Sequence, residues 1–309
     1  MSGVFLTTLS KVSVLLIFIG LGYLLRRGKK LPDNAGRVLS MLTTLIFSPA
    51  YTIKNLSASL TLEKIGSQVA LIGYGTVIVL ATIGMAFLFA KSLARSDFER
   101  RSYVYAFCIP NFGYFGYPLV EGVFGSEVLS QLMIFCLPMT IACNTFGYLL
   151  FVKDGKLTLK DILKMPVITA VFIGMAIGLS GLKLPVLVTD ILTTAGNCMS
   201  PASMLLAGFV LGGFPLKELF KGGRSYMMSA IRLVGIPALF GAVLFLLGVR
   251  GMYLALPVMI LAMPLGLNLV VFPESLGIDA SDNAKMCFVC NLLTIVVLPP
   301  IFALLSSVM

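Results

Sequence analysis

The chain is a succession of apolar runs about 20 residues long, divided by short polar connections. At the helical rise of about 1.5 Å per residue, a run of that length spans the hydrocarbon core of a bilayer. Backbone groups in lipid must be satisfied within a helix or a closed barrel. The runs are continuous rather than alternating, so helices are expected. With 58% hydrophobic and 12% charged residues and a mean hydropathy of +1.01, the 309 residues lack the charge to cover a soluble domain. The fold class expected is an all-α integral membrane protein.

Ten transmembrane helices are expected, at residues 4–25, 38–56, 67–92, 101–124, 128–151, 166–182, 186–214, 224–248, 251–275 and 283–307. The run from Val4 to Leu25 is too long for a cleavable signal, and Arg26, Arg27, Lys29 and Lys30 follow it instead of preceding it. Basic residues concentrate in the odd-numbered connections: Arg26–Arg37, Lys91–Arg101, Lys153–Lys164, Lys217–Arg224 and Lys285. The even-numbered ones hold only Lys54, Lys64, Lys183 and Arg250. That bias puts the odd connections in the cytoplasm and both termini outside, in a multi-pass protein of the plasma membrane. The same clustering accounts for the net charge of +10 without nucleic acid. The domain reading is a five-helix half at 1–152, a cytoplasmic linker at 153–165 and a second five-helix half at 166–309. An odd number of spans per half inserts the halves with opposite orientation, as in the inverted repeats of secondary transporters.

Two spans are interrupted. The fourth contains Pro110, Asn111, Gly113, Gly116 and Pro118; the ninth contains Pro264, Gly266, Asn268 and Pro273. Proline removes a donor and clashes with the preceding turn, and glycine permits unwound backbone. The plainer reading is a kink in each helix. Interruptions at the same ordinal position of both halves point instead to broken helices that meet near the bilayer middle and line a cavity. Half-helix N-termini there suit a carboxylate, and Asn111 and Asn268 supply neutral donors and acceptors. Asn144 and Asn291 are matched in the same way in spans five and ten.

These stretches resemble the auxin efflux carrier family. "PNFGYFGYPLVEGVFG" is similar to its fourth-span pattern, and "MSPASMLLAGFVLG", "RLVGIP" and "AMPLGLN" are similar to its seventh, eighth and ninth. "RRGKKLPDNAGRVLSMLTTLIFSPA" resembles its first loop and second span. The resemblance covers essentially the whole chain. It implies two inverted five-helix repeats with helices four and nine crossing where they unwind, and transport of organic anions: auxin in plants, dicarboxylates such as malate and malonate in bacteria. Plant carriers often have a long central loop, so the short linker favours a prokaryotic-type member.

Arg232, about 12 Å deep in span eight at the helical rise, has three readings. It binds the anion, snorkels to the cytoplasm, or pairs with a structural carboxylate. Glu121, three residues after Pro118, is the proton-coupling candidate if it faces the cavity. The function expected is a secondary carrier of a mono- or dicarboxylate by alternating access. A sodium- or proton-linked antiporter or symporter of the same fold is the alternative. An enzyme is not expected: no phosphate-binding loop or catalytic set is present, and histidine is absent. No cofactor or metal site is expected, since Cys287 and Cys290 form a lone C-x-x-C that reads as packing. Partners expected are a small organic anion, a proton or sodium, membrane lipid and, by fold analogy alone, a second copy in a homodimer.

Overall fold

The computed structural model describes residues 2–152 and 158–309. Lys153 and Lys156, part of the expected linker, lie outside the described residues. Among those described there is no strand, only helix and one isolated antiparallel bridge.

Helix α1 (Ser2–Arg27) is continuous. The second segment is α2 (Ala35–Leu42) and α3 (Ser48–Ser59), joined by a π turn at Thr43–Phe47; α4 is Ile65–Leu93. The fourth is α5 (Asp97–Cys108), then a break, a π turn at Phe112–Gly116, and α6 (Tyr117–Phe135). Gly125, at φ +86°, interrupts the helical backbone inside α6 and kinks it, a conformation open to glycine. The segment Phe112–Phe135 bends by 54° into α7 (Leu137–Ala142) and a π turn at Cys143–Gly147, with Pro138 in the first turn of α7. The short helix α8 (Leu159–Leu163) carries a capping box in which Thr158 hydrogen bonds hold the Asp161 carboxyl below its usual range.

The second half follows with α9 (Pro166–Ser180), α10 (Val186–Asn197), α11 (Met199–Leu211) and α12 (Leu216–Leu219). The eighth segment is α13 (Gly223–Ala230), a π turn at Ile231–Gly235 and α14 (Ile236–Leu246). The ninth is α15 (Met252–Leu261), a break, and α16 (Asn268–Ser275); α17 (Ser281–Leu305) closes the chain. Three of the four π turns run directly into a helix with proline in its first turn: Pro49, Pro118 and Pro237. Proline has no N–H to offer the carbonyl four residues back, and the turn widens there.

The observed breaks are narrower than the motifs. Chain leaves helical hydrogen bonding at 109–111 and 262–267, while Pro118 and Pro273 sit in helix. Pro299 and Pro300 lie inside α17.

Among the described residues, five helices are long and apolar enough to cross a membrane, six if the bent pair Phe112–Phe135 and Leu137–Gly147 is one span. Two close packings organise the described helices. Helix α1 lies along α11, and α3 lies along α9. A Cβ at Gly208 would run into the Ile19 carbonyl, and one at Gly178 would lie 2.7 Å from the Leu60 oxygen. Small residues therefore bring these backbones together, the device lipid-embedded helices use where no hydrophobic driving force acts. Elsewhere α4 packs on α5, α14 on α15, and α13 and α16 on α17.

Candidate functional site

The two breaks meet. Pro110 and Leu265 form the antiparallel bridge, and the Asn111 N–H donates to the Pro264 carbonyl at 2.8 Å. Each broken segment thus supplies part of the backbone pairing that the other has lost, as unwound chain at that depth requires. Gly116 belongs to this contact. A Cβ there would lie 3.3 Å from the Met263 side chain, so glycine lets the second break approach the first.

A cavity of about 90 Å³ opens against the crossing. Pro110, Asn111, Gly113, Gly266, Asn268 and Asn144 line it, six residues that the sequence singles out. Pro118, Pro264, Gly116, Asn291, Arg232 and Glu121 are not in its lining. Among the described residues no charged side chain lines it. The remaining polar wall comes from Ser48, Thr52, Thr140, Cys143 and four tyrosines, Tyr51, Tyr105, Tyr114 and Tyr117. Val167, Val171 and Met199 close the far side from the helices α9 and α11. The site therefore lies between the close-packed helices and the broken ones.

The walls are held by local bonds. Asn144 Nδ2 donates to the Thr140 carbonyl at 2.8 Å, and Asn291 Nδ2 donates to the Cys287 carbonyl at 2.7 Å. Both asparagines bond one turn back in their own helix, so the ordinal match extends to geometry. Asn268 Nδ2 and Tyr105 Oη both approach Cys143 Sγ, at 3.9 Å and 3.5 Å. Tyr51 stacks on Tyr117 at 6.3 Å and donates to Glu121 Oε2 at 3.3 Å. Glu121 thus stands one phenol away from the cavity.

Arg232 lies elsewhere. Its side chain is fully buried; Nη1 donates to the Phe107 carbonyl at 2.8 Å, and Nε donates to the Met263 carbonyl at 3.1 Å. It reaches the last turn of α5 and the end of α15 together. Cys287 and Cys290 are buried, and among the described residues no cluster suited to a metal forms.

The tyrosines are the lining residues that sequence reasoning missed. Their signal is position: Tyr51 follows Pro49 by two residues, and Tyr105 precedes Pro110 by five. Tyrosines of membrane proteins more often mark the interface than the middle of a span.

Helix breaks that pair with each other around a polar cavity, within many apolar helices, define the class: a multi-pass membrane protein built to admit a solute. A family model described as membrane transport protein matches residues 7–302. The chain belongs to this family. It is also 23% identical over 300 residues to an uncharacterized transporter of Methanothermobacter thermautotrophicus, an alignment that covers 96% of this chain and 98% of that protein. The protein is therefore a membrane transporter, a class distinct from enzymes.

Proposed function

We propose that the protein is a secondary carrier for a small organic anion, such as a mono- or dicarboxylate, of the prokaryotic auxin efflux carrier type. One observation carries this reading: among the described residues the cavity has no charged lining, while helical chain begins at Phe112 and Asn268 beside it. Helix N-termini favour an anion and need no lysine or arginine. Asn111, Asn144 and Asn268 add amide donors, and Gly113 and Gly266 leave room for backbone contact.

Helix packing supports two inverted repeats, 1–152 and 166–309, around a linker at 153–165. The pairs α1 with α11 and α3 with α9 exchange when the halves are exchanged, and so do α4 with α5 and α14 with α15. Such a molecule sits in the plasma membrane with both termini outside. It alternates access as the bundle of spans one, two, six and seven moves against the rest. A homodimer is compatible with this arrangement.

The second reading, a proton-linked carrier of the same fold, rests on the Tyr51–Glu121 hydrogen bond. Sodium is the other coupling ion to test.

A thermal-shift panel with malonate, malate, acetate, indole acetate, sodium and varied pH tests the proposal. A carboxylate at about 100 times its Kd adds roughly 2.7 kcal/mol of apparent stability. Asn111→Ala and Asn268→Ala should remove that shift and the matching uptake into proteoliposomes. Normal uptake by both folded variants would refute the site.

A further inference from the structure

We infer that Arg232 sets the sign of the electrostatic potential in the cavity. It cancels the negative ends of the two broken helices and leaves their positive ends to act on the solute. This deepens the anion-carrier reading and rests on it for its biological meaning.

A helix carries about half a positive charge at its N-terminus and half a negative charge at its C-terminus. The crossing brings four such ends together. The C-terminal ends are those of α5, at Cys108, and α15, at Leu261. The N-terminal ends begin at Phe112 and Asn268. Unaided, the four would cancel in pairs, and the crossing would favour neither sign of ion.

Arg232 breaks that symmetry. Its guanidinium donates to the Phe107 carbonyl in the last turn of α5 at 2.8 Å and to the Met263 carbonyl, two residues past the end of α15, at 3.1 Å. A fully buried guanidinium ordinarily has a carboxylate beside it, because an unpaired buried charge is costly. Among the described side chains no carboxylate pairs with Arg232. Two half-charges balance one guanidinium, so the helix ends serve as its counterion. Arg232 Nη2 has no hydrogen-bond partner among the described residues, which leaves the charge less quenched than in a two-armed ion pair. The positive ends face a cavity in which no acidic residue among those described offsets them.

Arg232 comes to this position through the π turn Ile231–Gly235, which ends just before Pro237. It is a positioning residue. Its effect reaches the solute through the field of the crossing and not by contact.

The test reads charge in the cavity without requiring the natural solute. Gly113 lines the cavity, and a Cβ there would meet nothing within 4 Å. Gly113→Cys, in a Cys143→Ser, Cys198→Ser background, is reconstituted and treated with anionic sulfonatoethyl or cationic trimethylammonioethyl methanethiosulfonate. Thr52→Cys, which also lines the cavity, is read in parallel. Modification is followed by mass spectrometry, and each rate is divided by that of free 2-mercaptoethanol.

With Arg232 in place, the anionic reagent should react at least about tenfold faster than the cationic one. Arg232→Met should lower this ratio about tenfold, and Arg232→Lys should restore most of it. A ratio near one with Arg232 present overturns the inference, whether or not the Met variant folds. A folded Arg232→Met with an unchanged ratio also overturns it, since a brace would alter thermal stability and leave the ratio alone. Failure of the transport reading looks different: the anionic reagent is favoured, yet no carboxylate shifts stability or enters liposomes.

Discussion

At the scale of single residues, the contact that bears most on the proposed proton coupling is Tyr51 to Glu121. Tyr51 lines the cavity and donates to the carboxylate at 3.3 Å, so a solute that moves the phenol disturbs the acid. Glu121→Gln should abolish the pH dependence of uptake into proteoliposomes while leaving the protein folded. Tyr51→Phe should weaken that dependence, because the carboxyl loses its link to the cavity. A flat comparison of both variants with wild type across pH would assign coupling elsewhere. The asparagines at the crossing were legible in the sequence, since an amide in an apolar run needs a partner. Tyr105 and Tyr117 were not, because a tyrosine in a span also reads as ordinary packing. Arg232 was visible as a buried charge, but its two carbonyl partners lie 125 and 31 residues away. No local pattern carries that information.

At the scale of elements, close backbone approach distinguishes α1 with α11 from most other pairs. A methyl at Gly208 would meet the Ile19 carbonyl. Gly208→Ala should therefore push the helices apart and cost about 1–3 kcal/mol, read as a fall in melting temperature. Gly73→Ala, in open space on α4, is the control and should be neutral or stabilising by up to about 1 kcal/mol. Most segment positions were readable from the apolar runs, but α6 (Tyr117–Phe135) runs across the expected boundary between the fourth and fifth spans, and among the described residues five helices, or six with the bent pair, are long and apolar enough to cross a membrane, against the ten expected. The breaks were readable from the paired prolines, but their extent was not. Pro118 and Pro273 are absorbed into helix; Pro118 lies just beyond a widened turn, where a missing N–H costs little because the ladder has already shifted register. Pro299 and Pro300 pass through α17 for a different reason: membrane helices tolerate proline where neighbouring groups satisfy the freed carbonyls.

At the scale of the whole molecule, the cavity lies between two sets of helices, and the proposed cycle slides one along the other. Ser59 of α3 and Ser130 of α6 belong to opposite sets, and their hydroxyls are 2.7 Å apart. Ser59→Cys with Ser130→Cys should form a disulfide under mild oxidation and stop uptake, and reduction should restore it. Uptake at the wild-type rate by the oxidised protein would exclude relative motion at that seam. The pairing of the two breaks also has a meaning for how the protein is made. The Asn111 N–H is answered by the Pro264 carbonyl, and the Phe107 carbonyl by Arg232. Both partners are synthesised more than 120 residues later. During insertion the fourth segment must wait in the bilayer with its backbone unanswered. The first half of the chain is then a client for whatever shelters polar groups in the membrane, until the second half arrives to complete it.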